Sequence, residues 1–329
     1  MALDFAVANT VLQTARFKRL HVKREKKILH RSLRINFRKQ YRMFLRSKNM
    51  IRLNSDLEDK VGQLSLKDDQ ELTLNTSDNT YSLPEYITQM GQLKALSITG
   101  CSDYPSKLHN LSFIERLTNL KSIRFEHVSV PSIQPILALK NLKQLTFVMC
   151  EIGDAFMSCA IDSPYTSLTN LEIDTCYDLK QLPSGFCNLV HLKKLSITNC
   201  HELSVLPKGL GNLSSLEMLS LHCCTKLQEL PGSIGSLRKL SFVDVSNCLS
   251  LSVLPEEIGE LCGLKVLKMN GCGGLQELPM SMSELGQLEE VICDEETSYM
   301  WMDFESDLHK LKINVVEDDR IESFMKIVQ

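Results

Sequence analysis

Residues 216–231, LEMLSLHCCTKLQELP, decide the fold. Leu216, Leu219, Leu221 and Cys224 follow the pattern Leu-x-x-Leu-x-Leu-x-x-Cys. The pattern recurs upstream at Leu192, Leu195, Ile197, Cys200 and at Leu168, Leu171, Ile173, Cys176. Downstream it gives Leu240, Val243, Val245, Cys248, then Leu264, Leu267, Met269, Cys272, then Leu288, Val291, Cys293. The starts from 168 to 288 keep a constant step of 24 residues. A fixed period of this length marks a repeat architecture. Looser units begin at Leu142, Leu120 and Leu93, a degenerate one carries Leu72 and Leu74, and a last one runs from Leu308 to Val316.

Within each unit the x-Leu-x-Leu-x segment alternates with period two, as a strand with one buried face does. A Leu-Pro pair recurs at Leu182-Pro183, Leu206-Pro207, Leu230-Pro231, Leu254-Pro255 and Leu278-Pro279. It is expected to end a turn, because proline needs no backbone donor. No unit can bury its own leucines, so stability must come from stacking neighbours and capping the ends. The predicted fold is α/β: a leucine-rich-repeat solenoid, horseshoe-shaped, with one long parallel sheet on the concave face and short helices or turns on the convex side. Residues 69–293 are assigned to the repeats. Residues 294–329 are a C-terminal cap and tail, with a helix over 294–306 around Trp301 and a short strand near 311–315.

Charge divides the chain. Residues 1–53 hold 15 Lys/Arg against two acids, giving +13, whereas the remainder carries 22 basic and 38 acidic residues, giving −16. Residues 1–53 read as a basic extension, helical or disordered, followed by a linker over 54–68. Leu29, Leu33, Phe37, Tyr41 and Phe44 recur at helical spacing among arginines. Residues 16–52 therefore suit an acidic partner or an anionic membrane surface. KREKK at 23–27 also fits nuclear import, and no specific nucleic acid is predicted. No apolar run reaches the ~18–20 residues of a membrane span. Asp4 sits where a secretory signal would be positive. The 12 cysteines are accordingly expected to be reduced.

His222 beside Cys223 and Cys224 invites a metal reading. Adjacent strand residues point to opposite faces, so Cys224 should face inward while His222 faces outward, and no metal or other cofactor is expected. Cys101, Cys150, Cys176, Cys200, Cys224, Cys248 and Cys272 form an inward column of small buried groups. The outward positions are the candidates for function, because solenoids bind partners on the concave face. The candidates for protein contact are Arg124, Glu172, Asp174, Ser220, His222, Asp244 and Lys268. Met218, Phe242 and Val266 join them as a predicted exposed apolar stripe. Zincin, nucleophile-elbow and kinase signatures are absent from the chain, so it is not expected to be an enzyme.

The stretches SLPEYITQMGQLKALSITG, LTNLKSIRFEHVSV, LSITNC and VICDEE, with the YPSKL insertion after Cys101, carry a resemblance. Residues 69–318 resemble the repeat portion of plant nucleotide-binding leucine-rich-repeat immune receptors of the helper, activated-disease-resistance class. The resemblance implies an intracellular, cytoplasmic interaction domain in plant defence signalling, with the nucleus or the membrane periphery as alternatives. Such receptors carry a coil and a nucleotide-binding module, and this chain has no Gly-x-x-x-x-Gly-Lys-Ser/Thr loop. A truncated member is therefore expected. The alternative is a signalling scaffold of the Ras-associated repeat type, which shares the LPxxIxxLxxL segment.

Overall fold

The computed structural model describes residues 71–316 apart from 77, 158–166 and 305. The basic segment 1–53 with its expected contacts, the linker 54–68 and the tail beyond 316 lie outside the described residues.

Each repeat contributes one strand, and the strands stack in chain order. Eleven of them form a parallel sheet among the described residues. They are β1 (Glu71–Thr76), β3 (Ala95–Gly100), β5 (Ser122–Glu126), β7 (Gln144–Val148), β8 (Asn170–Asp174), β9 (Lys194–Thr198), β10 (Met218–Ser220), β11 (Phe242–Asp244), β12 (Val266–Lys268), β13 (Glu290–Cys293) and β14 (Lys312–Val315). The 24-residue step sets the register directly. Leu195 pairs with Leu219, Leu219 with Val243 and Val243 with Leu267. These inward side chains are fully buried and belong to one continuous apolar core from Leu74 to Leu308. Each such side chain contributes about 1.5–3 kcal/mol by leaving water. A second, three-stranded sheet joins β2 (Thr80–Ser82), β4 (Ser106–His109) and β6 (Val128–Ser129) in the first coils.

The proline does not end a turn; it opens one. Pro84, Pro183, Pro231, Pro255 and Pro279 sit at φ between −65° and −72° in extended conformation. Each precedes a short 3-10 turn, and its carbonyl accepts the N–H three residues on, as Pro231 does from Ile234 at 2.9 Å. The ring fixes φ at the boundary and its missing N–H leaves no orphan donor.

The turn after each strand explains the Cys223-Cys224 pair. His127, Met149, Thr175, Asn199, Cys223, Asn247 and Gly271 all have positive φ, between 53° and 74°. They occupy one position in successive coils. This left-handed step lets the backbone N–H reach forward to the next coil, as Asn199 donates to His222 and Cys223 to Ser246, both at 2.9 Å. The next residue turns inward and bonds backward. Cys200 Sγ donates to Ile173, Cys224 to Ile197, Cys248 to Leu221 and Cys272 to Val245, all backbone carbonyls, at 3.1–3.8 Å. Asn and Gly enter the left-handed region readily, whereas a side chain such as that of Cys223 is strained there by about 1 kcal/mol.

One member of the expected inward column departs from it. Cys101 is exposed. Its N–H bonds Thr76 at 2.6 Å, continuing the sheet, and the inserted YPSKL then folds back as β4. Ser106 is the buried residue there, fully enclosed, and its hydroxyl donates to the Asp78 carbonyl at 2.6 Å.

At the C-terminal end, a single helix over 294–306 gives way to two short pieces: an α-turn, α3 (Glu295–Ser298), then a 3-10 segment Tyr299–Phe304. It follows α1 (Gln134–Leu137) and α2 (Gly153–Met157), also single short turns. Asp294 caps α3 with a reciprocal bond to Thr297. Switching to 3-10 geometry brings Trp301 and Phe304 onto the end of the core, edge to face at 6.0 Å.

Candidate interaction face

The side chains of the strand positions that alternate with the core leucines form the outer side of the sheet. Hydrogen-bonded register places Met218, Phe242 and Val266 side by side, with Ser220, Asp244 and Lys268 in the next column. The three apolar residues are half-buried, not exposed as expected. Neighbouring side chains along the columns shield them; Lys268 Nζ stands 5.6 Å from the centre of the Phe242 ring, within cation–π range.

Behind this patch lies a polar chain. His222 Nδ1 and Ser246 Oγ are 2.8 Å apart. Ser246 donates to Asp244 Oδ1 through its backbone N–H at 2.9 Å and through its hydroxyl. Cys223 Sγ lies 3.2 Å from His222 Nε2. This is not an activated thiol. Burial, then the nearby Asp244 carboxylate, pushes the Cys223 thiol up to about 11. A nucleophilic cysteine needs the opposite shift. The chain instead holds His222 and Asp244 in fixed orientations across two coils.

The other candidates divide. Asp174 is a fastener: its carboxylate accepts from Thr198 Oγ1 at 2.6 Å, Asn199 Nδ2 at 2.8 Å and Thr175 Oγ1 at 3.1 Å. Glu172 is exposed and meets only a long bond from Thr146, at 3.4 Å. Arg124 lies further along the sheet on β5 and pairs with Glu126 two residues on, at 3.4 Å. So the structure gathers Met218, Ser220, Phe242, Asp244, Val266 and Lys268 onto three adjacent strands, with His222 in the turn after β10, and leaves Arg124, Glu172 and Asp174 outside that patch. The left-handed column was missed, although Asn199, Asn247 and Gly271 at a step of 24 carried its signal. Among the described residues, no group of three or more His, Cys, Asp or Glu side chains converges as a metal would require, and no helix is long and apolar enough to cross a membrane.

This geometry has known counterparts. No protein-family model matches the chain. The leucine-rich-repeat domain of the type III effector XopL superposes with a TM-score of 0.56 at 21% identity, covering 70% of this chain and 77% of that one. That likeness concerns the fold. The chain is 40% identical over 128 residues to the probable disease resistance protein At5g66900 of Arabidopsis thaliana, and 38% identical over 118 residues to the disease resistance protein ADR1 of the same plant. Over these stretches the chain is similar to plant disease-resistance proteins. The matched stretches cover 38% and 35% of this chain, but only 16% and 15% of those relatives. In this leucine-rich-repeat chain, then, the shared sequence is a small part of a larger relative.

Proposed function

We propose that the chain is a non-catalytic protein-interaction domain of plant immune signalling, acting in the cytoplasm through the outer, concave side of its sheet. The observation that carries this is the patch on β10–β12. It sets three apolar side chains in register beside an oriented His222, Ser246 and Asp244 chain and Lys268, and among the described residues no further layer covers it. Apolar groups ringed by oriented polar ones are the composition of a protein contact rather than of bare solvated surface. Kinship with disease-resistance proteins supplies the biological setting. Residues 1–53 are proposed as a separate basic extension that adds contacts to an acidic partner or surface.

Phe242→Asp tests it. The substitution places a charge in the middle of the apolar column without touching the core, since Phe242 lies on the outer side. Capture from plant extract is expected to lose specific partners by at least tenfold relative to wild type, with an unchanged melting temperature. Identical partner lists for the two proteins would remove the patch from the mechanism.

A further inference from the structure

A second surface lies at the entrance to the strands. The residue just before each strand donates its N–H to its counterpart one coil earlier. This ladder runs through Lys94, Lys121, Lys143, Thr169 and Lys193, with N–H···O distances of 2.8–2.9 Å, and continues through Glu217, Ser241, Lys265 and Glu289 at 2.8–2.9 Å. Downstream, charges in this column neutralise one another. Lys193 bridges Glu217 at 2.9 Å and Lys265 bridges Glu289 at 3.0 Å, each at the same position of the next coil.

Upstream the same geometry holds three lysines in consecutive coils. Lys121 and Lys143 are exposed and Lys94 half-buried, and exposed Lys140 adds a further charge three residues before Lys143. Among the described residues no carboxylate pairs with any of them. Like charges placed directly opposite on neighbouring strands destabilise a sheet. The column downstream contains the remedy, a glutamate in the facing coil, and the upstream coils lack it.

We infer that Lys94, Lys121 and Lys143 form a docking rail for an acidic helix of a partner protein. The spacing selects the helix. Coils repeat every ~4.7–4.9 Å, so the rail spans about 10 Å over three lysines. A helix rises ~1.5 Å per residue, so carboxylates at i, i+3 and i+7 lie at about 0, 4.5 and 10.5 Å along one face. An extended strand spaces same-side residues ~6.6–6.8 Å apart and falls out of step. The rail is separate from the Phe242 patch, so this inference and the proposed function stand or fall independently.

The test uses the full chain and a fluorescein-labelled, alanine-based helical peptide with glutamates at i, i+3 and i+7. A second peptide of equal composition scatters the same glutamates around the helix. By fluorescence anisotropy at low salt, wild type is expected to prefer the striped peptide about tenfold, and Lys121→Glu to abolish that preference. Residues 1–53 contribute equally to both proteins. Carbodiimide coupling of the bound peptide should map to Lys94, Lys121 and Lys143. Because Lys121→Glu recreates the downstream lysine–glutamate arrangement, its melting temperature should match or exceed wild type. Equal binding of the two peptides, an unchanged preference in the variant, or coupling confined to residues 1–53 would overturn the inference. So would a lowered melting temperature, which would make Lys121 a structural residue. Binding to phosphatidylserine vesicles without binding to the striped peptide would assign the rail to membrane and equally overturn it.

Discussion

The melting temperature is expected to fall steeply once the pH rises above about 9. The cause is the inward column of thiols. Burial holds the Cys150 and Cys200 thiols up to about 12. Burial likewise pushes up Cys176, Cys224 and Cys248, aided by neighbouring cysteines in the column. In the unfolded chain a thiol ionises near 8.5. Between about 8.5 and 12 the unfolded chain has therefore released protons that the native state keeps. Stability then decreases as pH rises, by about 1.4 kcal/mol per pH unit for each thiol. Below about 8.5 both states hold the proton and the contribution is fully present. The thiols act in the same direction, and a typical domain stability is only about 5–15 kcal/mol. Circular dichroism melts between pH 7 and 11, under reducing conditions, should show the solenoid unfolding before about pH 11. Replacing Cys200 and Cys224 by alanine should flatten the slope. A melting temperature constant to pH 10.5, or an unaltered slope in the double variant, would contradict the buried thiol ladder.

The second large effect is expected at the C-terminal end. In interior coils the left-handed residue donates its N–H to the next coil's backbone, as Asn247 does to Asn270 at 2.8 Å. Gly271 is the corresponding residue of its coil, with φ of +74°. Its N–H goes instead to the Asp294 carboxylate, at 2.6 Å. That carboxylate also takes the Thr297 N–H at 2.9 Å and Oγ1 at 2.8 Å, while Asp294 is only 8% exposed. One side chain thus stands in for its own backbone carbonyl, which accepts the Ser298 N–H at 3.0 Å instead, and starts the closing helix. Asp294→Ala leaves the Gly271 and Thr297 N–H groups without acceptors, whereas Thr297 Oγ1 keeps the residue 294 carbonyl, and is expected to cost about 2–4 kcal/mol. Asp294→Asn keeps one acceptor and should cost about 1 kcal/mol. Trp301 is the only tryptophan and sits buried beneath this cap, so its fluorescence reports the cap. In urea the alanine variant should lose the Trp301 signal at a clearly lower midpoint than wild type. An unshifted midpoint would show that Asp294 does not close the solenoid.

Much of this architecture was readable before any coordinates. A constant step of 24 makes register a matter of arithmetic, so Met218 beside Phe242 beside Val266 followed from the chain itself. Alternation placed Leu219 inside and Ser220 outside. What arithmetic could not supply was depth: Phe242 is half-buried, and Lys268, in the adjacent column of the next coil, leans across it. Cys101 was misplaced because an insertion shifts the inward position onto Ser106, and a spacing rule has no means of seeing where an insertion folds back. The role of Asp174 depended on three donors from two coils converging on one carboxylate. The turn column was hidden where Cys223 and Met149 occupy a position that Asn and Gly hold elsewhere. The role of Asp294 emerged only from the way the next coil turns into α3 there, which gives the Asp294 carbonyl to Ser298 and leaves the Gly271 N–H to the side chain.

The central claim is that the outer side of β10–β12 is where a protein partner sits. Hydroxyl-radical footprinting of the chain, free and bound to each partner captured by wild type, tests it side chain by side chain. Met218 and Phe242 are both oxidisable and half-buried in the free protein, whereas Met280 is 76% and Tyr299 58% exposed and both lie away from the patch. Binding is predicted to protect Met218 and Phe242 several-fold while leaving Met280 and Tyr299 as reactive as before. Protection of Met280 and Tyr299 with no change at Met218 and Phe242 would place the contact elsewhere and contradict the account.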